Sequence, residues 1–207
     1  MVPPALPPAY AHDPFLLVQH ALAARWLDPV MAGATWACEG WVLALLALAV
    51  TTLPERHRPR AWLLAVPVLA ALALDGALVQ VLKHFLHLPR PLVVLGADAV
   101  RVVGAPLHGS SMPSGHSSAA ATLAAYLFSR RHRAWPALAA LALLGGLARV
   151  YVGAHWALDV AVGWLLGLLV GSAVAAAAHA LAAAFATRPA PCPPAPRGPA
   201  LSTPRPS

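Results

Sequence analysis

Long runs without a single ionic side chain constrain this sequence more than any other feature. Residues 40–54, 116–129, 134–148 and 160–187 contain no Asp, Glu, Lys or Arg, and 61–82 contains only Asp75. A helix needs roughly 20 mostly apolar residues to cross a bilayer, so each run reads as a span. A sixth, 14–24, is short but continues through Trp26 and Leu27, and reads as the first. Composition agrees: 59% of residues are hydrophobic, 10% are charged and the mean hydropathy is +0.68, against about 25% charged residues in soluble domains. So few ionic groups cannot cover a water-facing surface. The apolar fraction also excludes a disordered chain, and neither a Gly-X-Y nor a heptad period is present.

The expected fold is therefore all-α: a six-helix transmembrane bundle over 14–187 with flexible proline-rich termini. Of the 22 prolines, 13 fall within 1–14 or 189–207, where helix and packed core are both disfavoured. This predicts a flexible N-terminal tail over 1–13 and a disordered cytoplasmic tail over 188–207. The first residues carry no basic segment ahead of an apolar run, unlike a cleaved signal peptide. Cys38 and Cys192 are too few for a disulfide framework or a zinc site of ordinary spacing.

Arginine placement sets the orientation. Arg56, Arg58 and Arg60 follow the second span, Arg130, Arg131 and Arg133 the fourth, and Arg188, Arg197 and Arg205 the sixth. Basic residues concentrate on the cytoplasmic side of membrane proteins, so both termini are expected inside. The net charge of +7 is then mostly a topology signal. No stacking aromatics are interleaved with the basic residues, which argues against a nucleic-acid partner. Gly163, Gly167 and Gly171 recur every four residues, a spacing that admits a second helix closely, either within the monomer or across a homodimer.

On this topology the outer ends of spans three to six carry an unusual residue set. Lys83 stands at the mouth of its helix, and Pro89 and Pro91 stop that helix so that Arg90 can fold back on a rigid turn. Snorkelling of both cations to the headgroups is the plain alternative. Pro113-Ser114-Gly115-His116 precedes a helix, whose free N–H groups attract anions. Gly115 lets the backbone approach an oxyanion, Ser114 adds a hydroxyl donor and His116 can protonate a leaving oxygen; a simple N-cap beside a water-facing histidine is the alternative. His155 and Asp159, four apart, share one helix face, so the carboxylate can fix the imidazole tautomer and leave the other nitrogen free to attack. A capping aspartate beside an interfacial histidine is the alternative there. Arg149 lies just upstream. His84 and His87 sit beside two cations and make a poor metal site, and the sequence has no HExxH, P-loop or GxGxxG. No metal and no cofactor are expected.

Together these groups suggest phosphoryl transfer through a histidine. Lys83, Arg90 and Arg149 would neutralise phosphate oxygens, Ser114 and the Gly115 N–H would hold the equatorial plane, His155 would attack phosphorus and His116 would protonate the departing alkoxide.

The same residues resemble the signature of the type 2 phosphatidic acid phosphatase superfamily: K-x6-RP, PSGH and SR-x5-H-x3-D. The match runs from Lys83 to Asp159 with the spacing kept inside every motif. The resemblance implies a six-helix bundle with its site at the outer leaflet, a phosphohistidine intermediate and no metal requirement. It assigns the nucleophile to His155, its partner to Asp159, the acid to His116, and phosphate binding to Lys83, Arg90, Ser114, Gly115 and Arg149. One position departs: Ala148 stands where the signature has serine, which is expected to alter affinity or substrate choice more than reaction type. Asp75 lies outside the signature and is expected to pair with Lys83 or Gln80, or to mark a polar path.

The function expected is that of an integral membrane lipid phosphatase in a bacterial inner membrane, with its site facing outward. It would act on a lipid phosphomonoester or an isoprenoid pyrophosphate such as the undecaprenyl carrier. A lipid phosphotransferase using the same site, or a catalytically silent scaffold, are the alternatives; the vanadium haloperoxidases of the wider superfamily are soluble and larger.

Overall fold

The computed structural model describes residues 5–57, 59 and 61–186. Arg58, Arg60, Cys192 and the 188–207 tail, with Arg188, Arg197 and Arg205, lie outside the described residues. The helices are α1 (Phe15–Leu22), α2 (Asp28–Ala37), α3 (Gly40–Thr52), α4 (Val66–Leu86), α5 (Pro91–Leu95), α6 (Gly115–Ser129), α7 (Trp135–Tyr151) and α8 (Ala157–Ala186), and no strand occurs among the described residues. Two segments are long and apolar enough to cross a membrane, Ala61–Leu95 and Ala157–Phe185; α2 and α3 make a third if their 66° bend is read as one broken span. The 30 residues of α8 extend about 45 Å at 1.5 Å per residue.

The central helix is α6, buried almost continuously from Ser117 to Leu127. Its small residues are what permit this. Beside it, and running in the same direction, α8 presents Gly163, Gly167 and Gly171. A Cβ on Gly163 would come within 2.6 Å of the Ser114 carbonyl oxygen, and on Gly167 and Gly171 it would run into those of Ser118 and Thr122. The glycine stripe is therefore consumed inside the monomer, and the homodimer alternative loses the feature that suggested it. Around α6 a core of Leu43, Val68, Leu123, Leu127, Leu138 and Ala175 joins α3, α4, α7 and α8.

Two ends of the bundle are well marked. At one, Thr51, Pro54, Leu64, Tyr126, Arg130 and His132 line a hollow of about 250 Å³, bringing together the arginine-rich connections. At the other, Lys83 Nζ donates to the Ser110 carbonyl at 3.0 Å, Val103 N to Val152 O, and Ser114 N to Asp159 O. Among the described residues α3, α4, α6, α7 and α8 run between these ends, while α2 packs at the second end against Ala148, Tyr151 and Ala154. Large apolar side chains point outward along these passes, including Leu45, Val81, Phe85, Leu143, Leu165 and Leu169, each half exposed or more, a surface suited to lipid.

The N-terminal region differs from expectation. Residues 14–27 do not form a span: α1 is eight residues long and ends before Arg25 and Asp28, whose charges interrupt the apolar run. Asp28 receives both bonds from Arg101 Nη2 at 2.6 Å. Inside α1, Gln19 faces the bundle and donates to the carbonyls of Arg101 and Tyr151 at 2.9 and 3.0 Å. The described part of the expected flexible tail 1–13 is folded as well, with Pro8–Tyr10 forming one 3₁₀ turn. Asp13 accepts from the N–H groups of Ala157 and Leu158 and so caps α8 from outside its own sequence. Tyr10 consequently lies at the start of α8 and Ala186 at its far end. Residues 10 and 186 are on opposite ends of the bundle, where the six-span reading had both termini on one side.

Candidate active site

The turn between α7 and α8 delivers His155 and Asp159 to the end opposite the arginine-rich connections. Glycine is required there, because Gly153 has a φ of 78° and a Cβ would come within 2.7 Å of the Arg101 carbonyl oxygen. His155 is 2% exposed and Asp159 is fully enclosed. The Asp159 carboxylate gathers Tyr10 Oη at 2.7 Å, the Trp156 N–H at 3.0 Å, the Ser111 hydroxyl and His155 Nδ1 at 3.3 Å. On the other side of the ring, Arg90 Nη1 lies 3.2 Å from Nε2. A carboxylate accepts at Nδ1 and a guanidinium donates at Nε2, so both neighbours select the Nδ1–H tautomer, with its lone pair on Nε2. Burial, then the charges of Arg90, Arg149, Lys83 and His116, hold His155 well below the ordinary histidine value of 6.5. The neutral ring is thereby favoured.

The cations are fixed by carbonyl oxygens. Arg90 donates to Ala154 O at 2.6 Å, Gly109 O at 3.1 Å and Ser110 O at 3.2 Å. Ser110 Oγ returns a bond to Lys83 O at 3.1 Å, locking the 87–114 connection onto the end of α4. Arg149 is different: it is buried, and its Nε has no partner among the described residues. It lines a cavity of about 350 Å³ together with Glu39, His116 and Ala154. Lys83, Arg90, His84 and His87 border a second, open hollow of about 520 Å³.

His116, in the first turn of α6, has Nε2 3.0 Å from Glu39 Oε1. Gly115 has room: a Cβ would meet only Val79, at 3.5 Å. Ser114 is fully buried, its hydroxyl 2.9 Å from that of Ser117, so it braces the start of α6 and does not border either cavity. Ala148 packs with Met31, Ala34 and Tyr151, an apolar contact with α2. Asp75 receives Ser118 Oγ at 2.5 Å, so it ties α4 to α6 and its partner is neither Lys83 nor Gln80.

Sequence reasoning missed Tyr10, Asp13, Glu39 and Ser111. Glu39 left a signal, as the one carboxylate between Asp28 and Glu55 in an apolar region. Tyr10 left none, since its partner is 149 residues away.

A family model, the PAP2 superfamily, matches residues 64–183, more than half of the chain and all of the motif residues. The chain belongs to the PAP2 superfamily. Its fold is also similar to that of two solved structures. The crystal structure of Aquifex aeolicus LpxE shares 30% identity with a TM-score of 0.65, covering 77% of this chain and 91% of that one. A transmembrane PAP2-type phosphatidylglycerolphosphate phosphatase from Bacillus subtilis shares 25% identity with a TM-score of 0.66, covering 81% and 85%. No curated protein matches the chain. This PAP2 protein is thus a membrane lipid phosphatase, a phosphoric-ester hydrolase. Its α1, α2 and α3 lie outside the family match, and with them Tyr10, Asp13 and Glu39.

Tyr10 is expected to matter. Burial and then the charge of Asp159 push its phenol above the ordinary range, so it remains a donor. Tyr10→Phe keeps the stack on Trp156, whose ring centroid is 4.6 Å away, and deletes one bond to a buried carboxylate. Hydrogen bonds to charged groups contribute about 1.5–3 kcal/mol. The expected result is a kcat lower by about tenfold with KM within about twofold, read by steady-state phosphate release.

Proposed function

We propose that this enzyme hydrolyses a lipid phosphomonoester or an isoprenoid pyrophosphate at the outer face of a bacterial inner membrane, through a phosphohistidine on His155. The observation that carries this reading is the unpartnered, buried Nε of Arg149 beside the His155–Arg90 contact. A buried guanidinium without a counter-charge is costly, and an anion in the cavity that Arg149 borders would compensate it. Arg90, Lys83 and Arg149 then neutralise the phosphate oxygens, with the backbone at Gly115 close by. His155 Nε2 attacks phosphorus as the bond to the lipid oxygen breaks, and His116 supplies that oxygen with a proton. In the second step water gives a proton to His116 while its oxygen displaces Nε2 from phosphorus, restoring both histidines.

The membrane arrangement follows the charge pattern. Arg130 lines the hollow opposite the site, with Arg56, Arg131 and Arg133 on the same connections; the preference of basic residues for the cytoplasmic side supports a reading in which that end faces the cytoplasm and the site the outer rim. There the substrate's apolar chain stays in the bilayer while its phosphate reaches Arg149 and Arg90.

Phosphate release should be measured with detergent-purified protein over a panel of phosphatidic acid, phosphatidylglycerol phosphate and undecaprenyl pyrophosphate. Release from at least one is expected, and release from none would overturn the proposal. The acid limb of the pH profile carries a second check. Neutral His155 is the attacking form, so rate is lost as pH falls through its titration, which burial and the neighbouring cations place on the acid side of 6.5. An acid limb at or above 6.5 would contradict the assignment of His155.

A further inference from the structure

Glu39 stands at the 66° bend between α2 and α3, as the N-cap residue of α3, outside the matched family segment of 64–183. The bend carries its carboxylate into the cavity that Arg149 and His116 line, with Oε1 3.0 Å from His116 Nε2. Charged and titratable groups reach His116 from every neighbouring element: Cys38 and Glu39 from the bend, Asp75 and Lys83 from α4, Arg149 from α7 and His155 from the turn before α8. Asp75 accepts from Ser118 through one carboxylate oxygen. Among the described residues Glu39 is the one carboxylate within hydrogen-bond distance of the ring.

We propose that Glu39 is a positioning residue for the proton donor: it orients the His116 ring through Nε2 and favours its protonated form, leaving Nδ1 for the leaving oxygen. This rests on the phosphohistidine reading, in which the lipid oxygen leaves as the bond from His155 Nε2 to phosphorus forms. The proton given up by His116 is regained from the water that enters in the second step, so Glu39 itself gains and loses nothing over a turnover. An anionic side chain is tolerated beside phosphate-binding arginines because it pairs with the imidazolium instead of the guanidinium. No Glu39–Arg149 ion pair occurs among the described residues, although both border the same cavity.

The test is a set of kcat–pH profiles for the parent, Glu39→Gln and Glu39→Asp. Removing an adjacent opposite charge moves a titration by about one pH unit or more. Glu39→Gln should therefore shift the alkaline limb about one unit towards acid, a loss of about tenfold at pH values well above that limb and little loss below it. Its acid limb, set by His155, should stay in place, and Glu39→Asp should return most of the alkaline activity. In a His116→Ala background Glu39→Gln should produce no further loss. An alkaline limb unchanged in Glu39→Gln, or an equal loss at every pH that Glu39→Asp does not restore, overturns the proposal. A parent enzyme that releases no phosphate from any lipid would instead remove the phosphatase reading beneath it.

Discussion

His155→Ala is expected to reduce phosphate release from a lipid phosphate by about 10⁴-fold or more, since in the proposed mechanism it removes the nucleophile and leaves only the catalysis due to binding. The geometry gives no substitute. His116, the other imidazole of the motifs, has Nε2 held at Glu39, and Ser111 and Ser114 direct their hydroxyls at Asp159 and Ser117. The loss should be chemical and not structural, because Asp159 retains its bonds from Tyr10, Ser111 and the Trp156 N–H. The variant should therefore purify as a folded protein and still bind vanadate at Arg90 and Arg149. A variant with more than about a hundredth of parental activity would show that water attacks phosphorus directly. Acid-quenched parent enzyme incubated with labelled lipid phosphate should carry label that the variant lacks.

The motif residues were legible because helices and prolines place them without help from the rest of the chain. His155 and Asp159 share a face by four-residue spacing, and Arg90 returns towards Lys83 because Pro89 and Pro91 end α4. The structure sets Arg90 against His155, while Arg149 and His116 line one cavity and Lys83 and Arg90 border another. What was not legible is whatever depends on contacts far apart in the chain. Asp159 looked like a partner for His155 alone, yet half of its environment comes from Tyr10 and Ser111. A proline-rich stretch suggests freedom because it cannot form helix, but it can still be immobilised by a buried tyrosine and by Asp13 capping α8. The count of spans failed for a related reason. An apolar run reports only avoidance of charge; it does not report that α1 stops at Leu22, that α2 starts afresh at Asp28, or that Gln19 gives its amide to the Tyr151 carbonyl at the end of α7. The glycine stripe of α8 was legible as a close-packing surface, but only coordinates could name α6 as the partner.

That seam makes the largest stability prediction. Gly167→Leu would drive a side chain into the Ser118 carbonyl oxygen and the Ala121 methyl group, and α8 cannot back away without also opening the contacts of Gly163 and Gly171. Overpacking of a rigid interior costs about 1–3 kcal/mol and occasionally more; here the obstacle is backbone on a buried helix, so a cost of about 3 kcal/mol or greater is expected. For a chain of this size that corresponds to a melting temperature in detergent lower by about 10 °C. Gly33→Ala on α2 is the control: a Cβ there meets nothing within 4 Å, so the exchange should leave melting unchanged or raise it slightly. If the stripe instead joined two copies of the chain, Gly167→Leu would dissociate an oligomer while leaving the monomer's melting intact, which size-exclusion chromatography with light scattering would detect. Activity should follow the same logic: because the carbonyl of Ser114 lies against Gly163 and its N–H is bonded to Asp159, forcing α6 from α8 would separate the helix carrying His116 from the one carrying Asp159. Phosphate release should consequently fail in Gly167→Leu at temperatures where the helices themselves persist by circular dichroism.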